Sequence, residues 1–146
     1  MIVLATLDPN DGVPDALYEA LHAAPITPEE ERAGRVLRLH RVWLNGGVVQ
    51  ALANLDAIDE SAPGYIAAYR QIGLSACAEV WQAAHQAFFA QTLAARQDAL
   101  DAEYSRLTYG DDGKSPDVIE ATVVSYAQLW ASHFENAVAL ANQSRP

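Results

Sequence analysis

Apolar residues in this chain recur at spacings of three and four, and that periodicity constrains the fold more than any other feature. Cys77, Val80, Trp81, Ala84 and Phe88 form one such series, and Ile119, Val123, Tyr126, Trp130, Phe134, Ala137 and Ala141 form another. A 3.6-residue helix places each series on one face. Strand-length runs of Val, Ile and Thr are nearly absent, whereas alanine, the strongest helix former, supplies 28 of 146 residues. The expected fold is therefore all-α: a single compact domain of five to six helices over residues 1–146, with residues 1–12 as an N-terminal arm. That length suffices to bury a core without disulfides or a metal.

Punctuation divides the helices. The first is expected from Pro14 to Ala24, closed by Pro25. Thr27-Pro28-Glu29-Glu30 is a capping box with Pro at the first helical position, opening a second helix to about Leu44. Asn45-Gly46-Gly47 closes it, because a left-handed residue costs Gly nothing. A short helix from Val48 to about Ile58 follows, then a break at Pro63-Gly64 and a fourth helix from Tyr65 to Ile72, ended by Gly73. Ser75 is expected to cap a long helix, kinked near Thr92, that reaches Leu107. The Gly- and Asp-rich loop Tyr109–Lys114 precedes a final helix opened by Ser115-Pro116-Asp117 and running through Ala141. Trp43, Trp81, Phe88, Tyr126, Trp130 and Phe134 are the expected core aromatics.

The formal net charge is −10, and it is unevenly placed. Residues 1–31 sum to −7, residues 32–41 to +4, and residues 42–146 to −7. Such a balance disfavours direct binding to nucleic acid or an anionic membrane and favours a basic partner, or solubility alone. The single Cys77 excludes an internal disulfide and is expected as a small core residue. Met1–Leu7 is apolar but too short for a signal core or a membrane span, so a soluble cytoplasmic protein is expected.

Arg32, Arg35, Arg38 and Arg41 step by three and sweep about half of a helix circumference. The opposite arc holds Ala33, Val36, Leu37, His40, Trp43 and Leu44. Two readings of the Arg face stand open: stems paired with acids on neighbouring helices, or an anion or partner site, the latter favoured by Leu39 and Val42 on the same side. His40 lies mid-arc and is expected to be a core histidine bonded to a carbonyl or carboxylate. Glu19-Ala20-Leu21-His22 has the Glu-x-x-His spacing of a di-metal bundle but lacks the second pair such a site needs. Asp56, Asp59 and Glu60 share a face that is either solvated or cation-binding. There is no Gly-x-Ser-x-Gly elbow, phosphate-binding Gly-Lys-Ser/Thr loop, His-Glu-x-x-His or cysteine pair. No catalytic residue, cofactor or metal is expected.

A series of landmarks carries a resemblance. Asn45, Gly46, Gly47 and Gln50 come first, then Ile72-Gly73, then Ala87-Phe88-Phe89, Leu100-Asp101-Ala102-Glu103-Tyr104, and the late aromatics Tyr126, Trp130 and Phe134. In this order, from about Ala33 onward, the chain resembles the bacterial family of the DNA-mimic protein C-terminal domain. The resemblance implies an all-helical domain and, for the family's namesake, carboxylates that imitate DNA phosphates and occupy a DNA-binding protein. The candidate acids here are Asp8, Asp11, Asp15 and Glu19, and above all Asp98, Asp101, Glu103, Asp111, Asp112, Asp117 and Glu120. A domain about 38 Å across would face roughly 22 charges of duplex DNA. The chain has 19 carboxylates, so it matches part of one strand unless a homodimer doubles the surface.

The leading expectation is a non-enzymatic interaction domain that binds a basic partner, such as a DNA-binding regulator. One alternative is an inhibitor or immunity-type protein for a basic effector. Another is a small-molecule-binding or hydrolytic domain whose pocket lies near His40, Asn45 and Gln50. For Asn45, Gly46, Gly47 and Gln50 themselves, a groove and a helix–helix corner both remain open.

Overall fold

The computed structural model describes residues 1–57 and 60–143. Seven α-helices are present among them, and no strand: α1 (Asp15–Ala23), α2 (Pro28–Ala57), α3 (Ala62–Gln71), α4 (Ser75–Phe89), α5 (Leu93–Tyr109), α6 (Val118–Leu129) and α7 (Glu135–Gln143). Short 3-10 turns at Leu4–Thr6 and Pro9–Asp11 precede α1, and a third at Ala131–His133 joins α6 to α7. Helix α2 is the central strut, packed against α1, α3, α4, α5 and α6. It is broken at Gly47, whose φ of 77° and ψ of −172° are not helical. The Asn45-Gly46-Gly47 landmark is therefore a sharp internal bend. Ile58 and Asp59, at the expected end of the following segment, lie outside the described residues.

The capping box forms as its spacing requires. The Glu30 N–H donates to Thr27 Oγ1 at 3.1 Å, and the Thr27 N–H donates back to Glu30 Oε1 at 3.1 Å. Glu30 is also fully buried. Its other oxygen accepts the Ala137 N–H in the first turn of α7 at 2.8 Å, so one carboxylate serves the N-termini of two helices. Thr27 Oγ1 in turn donates to the His133 carbonyl at 2.7 Å. These bonds tie the α6–α7 corner to the start of α2.

Two expected long helices are each split, which raises the helix count above five to six. The long helix from Ser75 divides into α4 and α5 at Ala90-Gln91-Thr92, where Gln91 takes φ = 59°. The Thr92 N–H bonds to the Ala87 carbonyl at 2.8 Å and the Gln91 N–H to the Phe88 carbonyl at 3.2 Å. The same pair of bonds closes α3 around Gly73 (φ = 94°), from Leu74 to Tyr69 and from Gly73 to Arg70. Gln91 thus occupies a glycine position, and no Gly or Pro marks it in the sequence. The expected final helix likewise stops at Leu129 and resumes at Glu135. Pro63-Gly64 sits in the first turn of α3 instead of preceding it, and Leu74, not Ser75, occupies the N-cap of α4.

The core follows the expected stripes with substitutions. Trp81 and Phe134 are fully buried and Trp43 nearly so, Phe88 and Tyr126 are half-buried, and Trp130 is exposed at the α6–α7 corner. Leu44 also faces outward, since the bend follows within three residues. The centre is filled instead by Tyr69 and Tyr104, both without solvent contact. Cys77 lies in the core as expected, and burial pushes its thiol up to about 12, which removes its reactivity. No helix among the described residues is long and apolar enough to cross a membrane.

A left-handed backbone costs a non-glycine residue about 1–2 kcal/mol. Gln91→Gly should therefore stabilise the protein by about 0.5–1 kcal/mol, after the larger chain entropy of glycine is deducted. Urea unfolding checks this, and a lowered midpoint would contradict the geometry.

Candidate functional site

Carboxylates that look alike in the sequence divide into two groups in the structure. Three of the seven principal candidate acids point inward. Asp117 caps α6 by accepting the Glu120 N–H on Oδ1 at 2.9 Å. Its Oδ2 lies 2.6 Å from His40 Nε2, and His40 is wholly buried. The other ring nitrogen, Nδ1, is 2.9 Å from the Tyr104 hydroxyl. That hydroxyl lies 2.7 Å from the hydroxyl of Tyr69, which donates to the Val36 carbonyl at 3.3 Å. Burial raises both phenols above their ordinary value, so they remain protonated. Burial also works against ionisation of Asp117, yet the His40 ring and the Glu120 and Ile119 amides outweigh it and hold the carboxyl below its usual range.

Asp101, on α5, secures the bend in α2. Its Oδ1 accepts the Trp43 Nε1–H at 3.0 Å and the Val48 N–H at 2.9 Å. The Val48 amide begins the helical segment after the bend and needs such an acceptor. The approach is close: a Cβ on Gly47 would fall 2.9 Å from Asp101 Oδ2. Asn45, Gly46 and Gln50 are exposed around this bend, while His40 is sealed in the interior. The structure thus does not bring Asn45 and Gln50 together with His40 in one pocket. Helix–helix geometry accounts for Gly47.

Glu120, the third inward acid, accepts the Val13 N–H at 2.9 Å and an Arg41 Nη2–H at 3.2 Å. Donor atoms of His40, Asp117 and Glu120 all lie within 4.8 Å of one another. The Arg41 guanidinium already supplies positive charge beside Glu120, and the Asp117–His40 hydrogen bond occupies two of the three ligand atoms. That donor set is organised around hydrogen bonds and an ion pair, not an ion cage.

The Arg face is paired along its whole length. Arg32 donates to Gln71 at 3.0 Å and to the Tyr126 hydroxyl at 3.4 Å, and Arg35 meets Glu31 at 2.8 Å. Arg38 meets Glu60, which also accepts from the Tyr65 hydroxyl. Arg41 adds Asp15 at 3.2 Å and the Val13 carbonyl, and lies 4.2 Å from the Tyr18 ring centroid. Leu39 is buried, which removes the apolar argument for an exposed site there. The expected trio Asp56, Asp59 and Glu60 reduces to exposed Asp56 and Arg-paired Glu60, because Asp59 lies outside the described residues.

The remaining acids face solvent. Asp98, Asp111 and Asp112 are exposed, as are Asp8, Asp11, Asp15 and Glu19. Glu103 is bonded to Arg106, whose hydrogen bonds and charge hold its carboxyl below the usual range. Sequence reasoning missed Tyr69 and Tyr104. The spacing of Leu100, Tyr104 and Thr108, all buried, was the signal that marks Tyr104 as inward.

An acidic all-helical protein with its α2 arginines paired internally and many carboxylates outside is the class these features define. The chain matches the family described as DMP19-like protein over residues 24–135, and it belongs to that family. The match includes the capping box and ends at the first residue of α7. No curated protein and no solved structure matches.

Two outcomes follow from this geometry. Gly47→Ala should destabilise by about 2 kcal/mol or more, from the positive φ and the clash with Asp101; a thermal midpoint within error of the parent would contradict the lock. Because folding lowers the Asp117 carboxyl below 3.8, its stabilisation is complete above that pH and is lost as pH falls through the folded-state value. Unfolding free energies from pH 5 downward should therefore decline less steeply in Asp117→Asn than in the parent.

Proposed function

We propose that this protein is a non-enzymatic binding domain whose outward carboxylates engage a basic partner, in the manner of a DNA mimic that occupies a DNA-binding regulator. The observation that carries the proposal is the unequal use of charge. Arg32, Arg35, Arg38, Arg41, Arg70 and Arg106 all bond to groups of the protein itself. By contrast, the carboxylates of Asp11, Glu19 and Asp98 are exposed and engage no partner among the described residues. The field outside the molecule is negative, and a cationic surface is the one it attracts. Membership in the DMP19-like family supports the same reading.

The exposed set narrows the interface relative to the sequence expectation. Asp98, Asp111 and Asp112 serve as contact residues, with Glu103 contributing through its Arg106-paired edge. Asp101, Asp117 and Glu120 act beneath the surface, by fixing the helices that carry the others. A partial phosphate track is within reach of one copy. A full one requires two.

Affinity capture from native extract at low salt, followed by elution in rising salt, tests the proposal. A basic DNA-binding protein should elute at moderate salt and be displaced by duplex DNA. Recovery of a basic protein indifferent to DNA would replace mimicry with inhibition of another basic effector. Absence of any salt-sensitive partner would contradict the proposal.

A further inference from the structure

The outer face of α6 is unpartnered and uncharged in a protein that carries −10 overall. Val118, Thr122, Ser125 and Leu129 follow one another at helical spacing on the side opposite buried Ile119, Val123 and Ala127. Val118 is 41% exposed and Leu129 78%. The one charged residue of α6, Glu120, is turned to Arg41 and the Val13 amide and leaves this face neutral. Asn10 on one side and Pro116 at the N-terminal end turn the face into an open groove. The groove itself covers α6 from Val118 to Ser125, while the whole 12-residue helix extends about 18 Å.

Acids border this groove. Asp8 and Asp11 bracket Asn10 on the flanking 3-10 turn, Asp8 accepting the Asn10 N–H at 2.9 Å. Asp111 and Asp112 lie in the loop that leads to the lining residues Ser115 and Pro116, and Asp112 Oδ1 and Ser115 Oγ flank the same point beside Gly110, at 3.7 and 3.5 Å. Asp111 is 87% exposed although Arg106 reaches it at 3.4 Å, and Lys114 is the cation set among these acids. An apolar-to-hydroxyl floor with carboxylates at flank and end complements an amphipathic helix that has small or apolar residues on one face and Lys or Arg along its edges. We infer that the α6 groove docks a basic helix of the partner, the kind of element a DNA-binding protein presents to phosphates. The inference rests on the proposed function and specifies where contact is made.

A fluorescein-labelled helical peptide of alanine, lysine and arginine, about 18 residues long so that it spans the face, is the probe. Anisotropy is read against the full-length protein at about 50 and about 300 mM salt. Ser125→Trp and Thr122→Trp place a bulky neutral side chain on the floor and should each weaken binding at least tenfold while circular dichroism and melting stay unchanged. Joint Asp8→Asn, Asp11→Asn, Asp111→Asn and Asp112→Asn should weaken it similarly and flatten its salt dependence. Failure of the parent protein to bind, or binding indifferent to both Trp variants, overturns the groove. If the Trp variants still capture a DNA-displaceable basic protein from extract, the mimic reading stands and only its placement on α6 falls. If neither peptide nor such a protein binds, both fall.

Discussion

The carboxylate of Asp117 is the joint on which the arrangement depends. One oxygen caps α6 and the other meets His40, from which hydroxyls of Tyr104 and Tyr69 lead back to the α2 backbone at Val36. Four helices, α2, α3, α5 and α6, thus meet in a continuous polar thread through an apolar interior. Every group in it has a partner, which is the condition for burying polar atoms without a large penalty. Asp117 also fixes where α6 begins, and so the position of the Asp111–Asp112 loop that precedes it.

The same economy governs the rest of the charge. Glu30 serves two helix N-termini, Asp101 serves the bend at Gly47, and Glu120 anchors Arg41 and the N-terminal segment at Val13. Buried or half-buried, these acids hold elements that touch nowhere near each other in sequence. The exposed acids stabilise little by comparison, since surface charges in water contribute at most about 1 kcal/mol per pair. An excess of exposed carboxylates therefore lacks a stability rationale.

Much of the fold was legible because local chemistry dictated it. Thr27 and Glu30 announce a helix start in four residues, and Gly47 and Gly73 announce reversals that other residues resist. His40 was legible as a core histidine, since its arc is otherwise apolar, but its partner was not, because Asp117 is 77 positions away. Gln91 was illegible for the opposite reason: nothing local favours a left-handed glutamine, which sits between buried Ala87 and Leu93 where the turn closes on the Ala87 and Phe88 carbonyls. The same holds for Trp130, whose stripe position implies burial until the bonds from Thr27 and Glu30 pull α7 out of line. Among the candidate acids, Asp98, Asp111 and Asp112 face outward as read. The inward turn of Asp101, Asp117 and Glu120 depends on amides and rings supplied by distant segments, which charge patterning does not encode.

The division between structural and outward carboxylates is most directly tested by comparing urea unfolding of two sets of isosteric variants. One set neutralises Asp101, Asp117 and Glu120 singly to Asn or Gln; the other neutralises Asp8, Asp11, Asp111 and Asp112 together to Asn. Each inward change should lower the unfolding free energy by about 1–3 kcal/mol, while the fourfold outward change leaves it within about 0.5 kcal/mol of the parent. Equal losses in the two sets, or an unchanged stability on neutralising Asp117, would contradict the account.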